Sequence, residues 1–202
     1  MIRPLATAIA GAAIAVASAT SAAAAPGSYY VQGEEIVKNG TGTATADFSA
    51  DAFGQMSVDS SAVGGSKKGL LGTKTKPTTG SAEALVSEGY VVSAGTYTVT
   101  VTYAGARTTE SATGNGAATG LVMVEATLAT GLFEPVVLGG TQADLTSTAQ
   151  STAVTFQITL EKDAGINVQA EIQATYTAKG SGNTASTTAS SDAVTFSVQK
   201  NG

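Results

Sequence analysis

From residue 95 to residue 103 the chain reads Gly-Thr-Tyr-Thr-Val-Thr-Val-Thr-Tyr, polar and apolar in strict alternation. A period of two marks a strand with one face in a core, which places Tyr97, Val99, Val101 and Tyr103 inward and Thr96, Thr98, Thr100 and Thr102 outward. The pattern returns at Val154, Phe156, Ile158 and Leu160. It returns again at Ile166, Val168, Ala170, Ile172, Ala174 and Tyr176. Less regular runs at 43–48, 55–62, 82–92 and 121–128, and another around Val194, Phe196 and Val198, bring the count to about eight strands. β-Branched and aromatic residues dominate these runs, as suits a pleated, half-buried surface. The predicted fold is all-β: an antiparallel two-sheet β-sandwich, jelly-roll-like, because eight strands exceed the seven of a constant-type immunoglobulin module.

The connections predict how the strands pair. Glu161-Lys162-Asp163-Ala164-Gly165 has the Asp and Gly of a tight hairpin loop, so the strands on either side are expected to be antiparallel neighbours. Gly114-Asn115-Gly116 and Gly180-Ser181-Gly182-Asn183 predict two longer hairpins on the same grounds. Two other connections lack alternation. Residues 64–80 hold Lys67, Lys68, Lys74 and Lys76, half of the chain's lysines. They read either as a solvated loop or as a basic arm that touches an anionic polymer or a neighbouring molecule, with Leu70 and Leu71 at its tip. In residues 131–150, Leu132, Phe133, Val136, Val137 and Leu138 are too apolar for water and are expected to cover a sheet edge or add a short strand.

The first residues stand apart from this pattern. A basic start at Arg3, an apolar run over 5–16 and a small-residue stretch ending in Ala22-Ala23-Ala24 predict a secretory signal peptide over residues 1–24. The apolar run is shorter than the roughly 20 residues of a spanning helix. Residues 25–202 then form a single β-sandwich domain, secreted or extracellular, with no membrane span in the mature chain. Adjacent Tyr29 and Tyr30 are expected to tuck the N-terminal segment onto it.

Composition removes chemistry more than it supplies any. The chain has no Cys and no His, which excludes thiolate and histidine metal sites, a Ser-His-Asp triad and a Cys-His pair. It has no Trp, the strongest platform for stacking on a sugar ring. A net charge of −5 argues against nucleic acid as a partner. No cofactor is expected. Glu34, Glu35, Asp47, Asp51 and Asp59 are the one loose group that could hold a structural calcium ion, and their spacing matches no compact calcium loop.

Glu125 and Glu171 are mid-strand acids on polar faces, flanked in the second case by Gln169 and Gln173. On neighbouring strands they could serve as a glycosidase pair, yet Glu among Thr and Gln is ordinary on a solvated face, and the chain reads as a non-enzyme. The expected function is a structural or adhesive interaction at the bacterial cell envelope or outside the cell. Its partner would be an envelope polymer, a protein, or a second copy through sheet edges. The alternative is a carbohydrate- or other ligand-binding module on a concave sheet face, contacting its ligand through Gln169, Glu171, Gln173 and Glu125.

Overall fold

The computed structural model describes residues 30–38, 40–51, 54–70, 72–128 and 136–202. The predicted leader, Tyr29, Leu71, Leu132 and Phe133 lie outside the described residues, and β1 is described by its backbone. All of the expected strands are present, and further segments join them. In chain order they are β1 (Tyr30–Lys38), β2 (Thr43–Ala50), β3 (Met56–Val63), β4 (Lys67–Gly69), β5 (Gly72–Lys74), β6 (Thr78–Val92) and β7 (Gly95–Ala112). Then come β8 (Gly116–Leu128), β9 (Val136–Asp144), β10 (Gln150–Leu160), β11 (Ala164–Ala178), β12 (Thr184–Ser191) and β13 (Ala193–Lys200).

The strands form two antiparallel sheets. One has five strands in the order β1-β6-β11-β8-β9; the other runs β10-β7-β12-β3-β2, with β13 also paired to β7. The core lies where the alternating apolar faces meet. Val86, Val122, Val124, Ile166, Val168 and Ile172 from the five-stranded sheet pack against Tyr97, Val99, Val101, Tyr103, Val154 and Ile158 from the other. Toward β3 and β12 the inner face turns small and polar, and the hydroxyls of Ser60, Thr108, Thr187 and Ser191 find backbone acceptors. Thr187 Oγ1 donates to the Thr175 carbonyl at 3.2 Å, and Thr108 Oγ1 to the Thr188 carbonyl at 3.3 Å. A buried hydroxyl without such an acceptor would oppose folding.

The three predicted hairpins are not hairpins. β10 and β11, β7 and β8, and β11 and β12 each lie in opposite sheets, so their loops arch over the core. Alternation tells which face is buried; it does not tell whether the next strand lies beside the first or across from it. A short loop can span either the roughly 4.8 Å between paired strands or the roughly 10 Å between sheets. The turn residues act in the arches instead. The Asp163 carboxylate accepts the Ala94 N–H of the neighbouring β6–β7 arch at 2.8 Å. Gly114, at φ +58°, lets the chain turn so that the Gly116 N–H reaches the Thr113 carbonyl at 3.0 Å.

β12 and β13 are one arm laid along β7 and broken at Asp192. β7 pairs with β13 up to Ala104 and with β12 from Arg107 onward. The change of partner falls at Gly105, whose φ of +62° is costly for any residue with a Cβ. Such a Cβ would also stand 2.0 Å from the Asp192 carboxylate, whose backbone N–H donates to the Ala104 carbonyl at 2.8 Å. Arg107 pairs with Asp192 at 3.5 Å on the exposed side.

The lysine-rich segment is also more ordered than a loop. β4 and β5 form a small separate hairpin in which Lys67 stands opposite Lys74. β9 supplies the edge strand of the five-stranded sheet, which agrees with the expected edge cover, although Val136 and Val137 stay about half exposed. No helix among the described residues is long and apolar enough to cross a membrane.

Candidate functional site

The outer face of the five-stranded sheet collects four of the residues singled out from sequence. Gln169 on β11 lies directly opposite Glu125 on β8 and Ser87 on β6. One row on, Glu171 lies between Met123 and Leu85; the next row holds Gln173 between Leu121 and Glu83. Gln173 Nε2 donates to Glu83 Oε1 at 2.5 Å. Ser87 is buried, and the other side chains are partly buried by their neighbours.

Beneath this face lies a brace between the sheets. The Tyr103 hydroxyl, carried on β7, reaches between β8 and β11. It donates to the Met123 carbonyl at 2.5 Å and accepts the Glu171 N–H at 3.1 Å. Burial pushes the phenol far above its ordinary pKa, so it stays a neutral donor at any pH that the fold meets.

Glu125 and Glu171 are therefore diagonal neighbours on adjacent strands. Glycosidic cleavage places one carboxyl on each side of the scissile bond. Two side chains rising together from one sheet face reach the same side of a sugar laid on it. The arrangement suits contact more than bond breaking.

Lys67, Lys68, Lys74 and Lys76 do not join that face. Lys67, Lys68 and Lys74 stand exposed on the β4–β5 hairpin, whose tip residue Leu70 is fully exposed, and Lys76 is exposed just past β5. The loose acidic group is likewise split. Asp51 holds the β2–β3 turn by accepting the Gln55 N–H at 3.0 Å, while Asp47 and Asp59 face each other across the β2–β3 ladder. The side chains of Glu34 and Glu35 lie outside the described residues. Among the described residues no three acidic side chains converge as a metal site.

The outer face of the six-stranded sheet carries the threonine row of β7, half exposed. Its hydroxyls are tied sideways: Thr96 to Thr159 at 3.1 Å, Thr100 to Thr155 at 3.0 Å, and Thr98 to Asn201 Oδ1 at 2.8 Å. Farther across the same face, over β12, β3 and β2, the surface sinks into an open hollow. Asp47 and Asp59 lie in it, ringed by the hydroxyls of Thr45, Ser61, Ser186 and Thr188. Thr188 Oγ1 donates to Asp59 Oδ1 at 2.5 Å, the Phe48 N–H donates to Asp47 Oδ1 at 2.8 Å, and Thr45 and Ser61 share a hydrogen bond of 2.8 Å.

Sequence reasoning missed this hollow, although a signal was there. Asp47 precedes Ala50 by as many residues as Asp59 follows Met56, so a tight turn between β2 and β3 puts the two acids opposite each other.

No family model matches the chain, and none of the curated proteins matches it. Among solved structures, one described as "CBM4 structure and function" is 16% identical at a TM-score of 0.39, covering 88% of this chain and 90% of that one. TmCBM61 in complex with beta-1,4-galactotriose is 9% identical at a TM-score of 0.36, covering 86% and 88%. The enzymatically active domain of bacteriophage CBA120 tailspike protein 4 is 9% identical at a TM-score of 0.35, and the match covers 84% of this chain but 19% of that one. At scores this low, function rests on the chain's own surfaces.

Proposed function

We propose that the protein is a secreted, non-catalytic module that adheres to a glycan through the hollow on the six-stranded sheet. The observation that carries this reading is the pair Asp47 and Asp59, directly opposed and ringed by four hydroxyl side chains. Two like charges facing across a ladder disfavour each other unless something offers them hydrogen. Adjacent sugar hydroxyls do so. A carboxylate accepts two donors at once, and Ser and Thr hydroxyls donate or accept as the ligand requires. Such recognition needs no aromatic platform, which accords with a chain lacking Trp.

The test is binding to a panel of soluble and insoluble polysaccharides, measured by depletion and by calorimetry. One charged hydrogen bond contributes about 1.5–3 kcal/mol, so Asp59→Asn and Asp47→Asn should each weaken binding about tenfold or more. Glu125→Gln, on the opposite face, should leave it unchanged. A panel without binding, or binding that survives both aspartate changes, refutes the site.

A further inference from the structure

The protein carries two surfaces of opposite charge on different parts of the fold. The first is the outer face of the five-stranded sheet. Across β6, β8, β9 and β11 there is not one Lys or Arg, and Glu83, Glu125, Asp144 and Glu171 share the outward register. Leu85, Leu121 and Met123 lie among these acids and give the face an apolar centre.

The second surface is the β4–β5 hairpin. It holds Lys67, Lys68 and Lys74, with Lys76 just past β5, in a chain of net charge −5; it sets Lys67 against Lys74 and exposes Leu70 completely at its tip. Two lysines opposed across a ladder repel each other and gain most from an acidic surface that receives both. A solvated hairpin needs neither this charge nor this tip.

We infer that the basic hairpin of one copy docks on the acidic face of a second copy, with Leu70 set against the Leu85, Leu121 and Met123 centre. The contact joins two different patches, so it is head-to-tail and continues from copy to copy unless the rotation closes a ring. Electrostatic attraction of this kind fades when salt shortens the screening length from about 30 Å at 0.01 M to about 3 Å at 1 M.

The experiment is light scattering of the purified protein across concentration at those two salt levels. The expected result is a mass above one chain at low salt that falls to one chain at high salt. Two variants then separate the halves of the contact: Lys67→Ser with Lys74→Ser on the hairpin, and Glu83→Gln with Glu171→Gln on the face. Each alone should be a single chain at low salt. Mixed in equal amounts they should form pairs and nothing larger, because one intact hairpin meets one intact face. Circular dichroism melts of both variants check that the fold is kept. A wild-type protein that stays a single chain at low salt overturns the inference, as does association that survives both sets of changes. If the wild type is a single chain but its hairpin, and not the Lys67→Ser, Lys74→Ser form, retains a polyanion column, the partner is an external anionic polymer and the inference is also wrong.

Discussion

Two inward tyrosines with the same side chain have opposite roles. Tyr103 bridges the sheets through its hydroxyl, whereas the hydroxyl of Tyr176 is buried among Ala62, Ala178 and Ala185 with no partner among the described residues. Removing a hydroxyl whose partners stay behind leaves them unsatisfied; removing one that has no partner relieves a desolvation cost. Tyr103→Phe is therefore expected to lower unfolding free energy by about 1–3 kcal/mol, and Tyr176→Phe to leave it unchanged or raise it. Chemical denaturation of the two variants decides this, and an equal loss in both would show that shape, not hydrogen bonding, governs these positions. Glu88 is a second inward polar residue, 6% exposed, and accepts the Tyr90 hydroxyl at 2.9 Å. Burial raises its pKa and the Tyr90 bond partly opposes this. A carboxyl raised in the folded state binds its proton more tightly there than when unfolded. Its contribution to stability is complete below the ordinary carboxylate range and is lost as pH climbs through the raised value. Glu88→Gln should flatten that part of the stability profile between about pH 4 and neutrality and stabilise the fold at neutral pH. Melting temperatures of both proteins across that range test it, and parallel curves would rule it out.

At the scale of elements, the strands were readable and their neighbours were not. The alternation over 95–103 and 166–177 correctly separates buried from outward positions, because period two is a property of one strand alone. Partner choice is a property of pairs. Glu161-Lys162-Asp163 would suit a hairpin, but β10 and β11 bury their apolar faces against opposite sides of the core, and the loop follows that demand. β12 was hard to see because its inward residues are Ala185, Thr187, Ala189 and Ser191, small or hydroxylated, so its pattern scarcely differs from that of a loop. The same weakness hid the hollow. Asp47 and Asp59 read as separate acids along the chain, and only the register of β2 with β3 brings them together. Alternation places Gln169, Glu171, Gln173 and Glu125 on polar faces, and their meeting on adjacent strands comes from pairing that alternation does not encode.

On the scale of the whole molecule, the hollow and the acidic face lie on opposite sides of a sandwich whose sheets are about 10 Å apart. A ligand in the hollow leaves the acidic face and the β4–β5 hairpin open, so glycan binding and head-to-tail docking are independent events. Their combination has a consequence that neither has alone. Copies joined head-to-tail present many hollows to one long polymer, and each binding event after the first becomes intramolecular, which can strengthen retention by about 10²–10⁴ without any new contact. Lys67→Ser with Lys74→Ser should therefore leave affinity for a short oligosaccharide unchanged in calorimetry while weakening retention on the long polymer by about a hundredfold. High salt should do the same to the wild type, since it screens the exposed docking charges and leaves hydrogen bonds in the hollow largely intact. Should oligosaccharide affinity and polymer retention fall together in the lysine variant, the hairpin itself touches the glycan and the two surfaces are not independent.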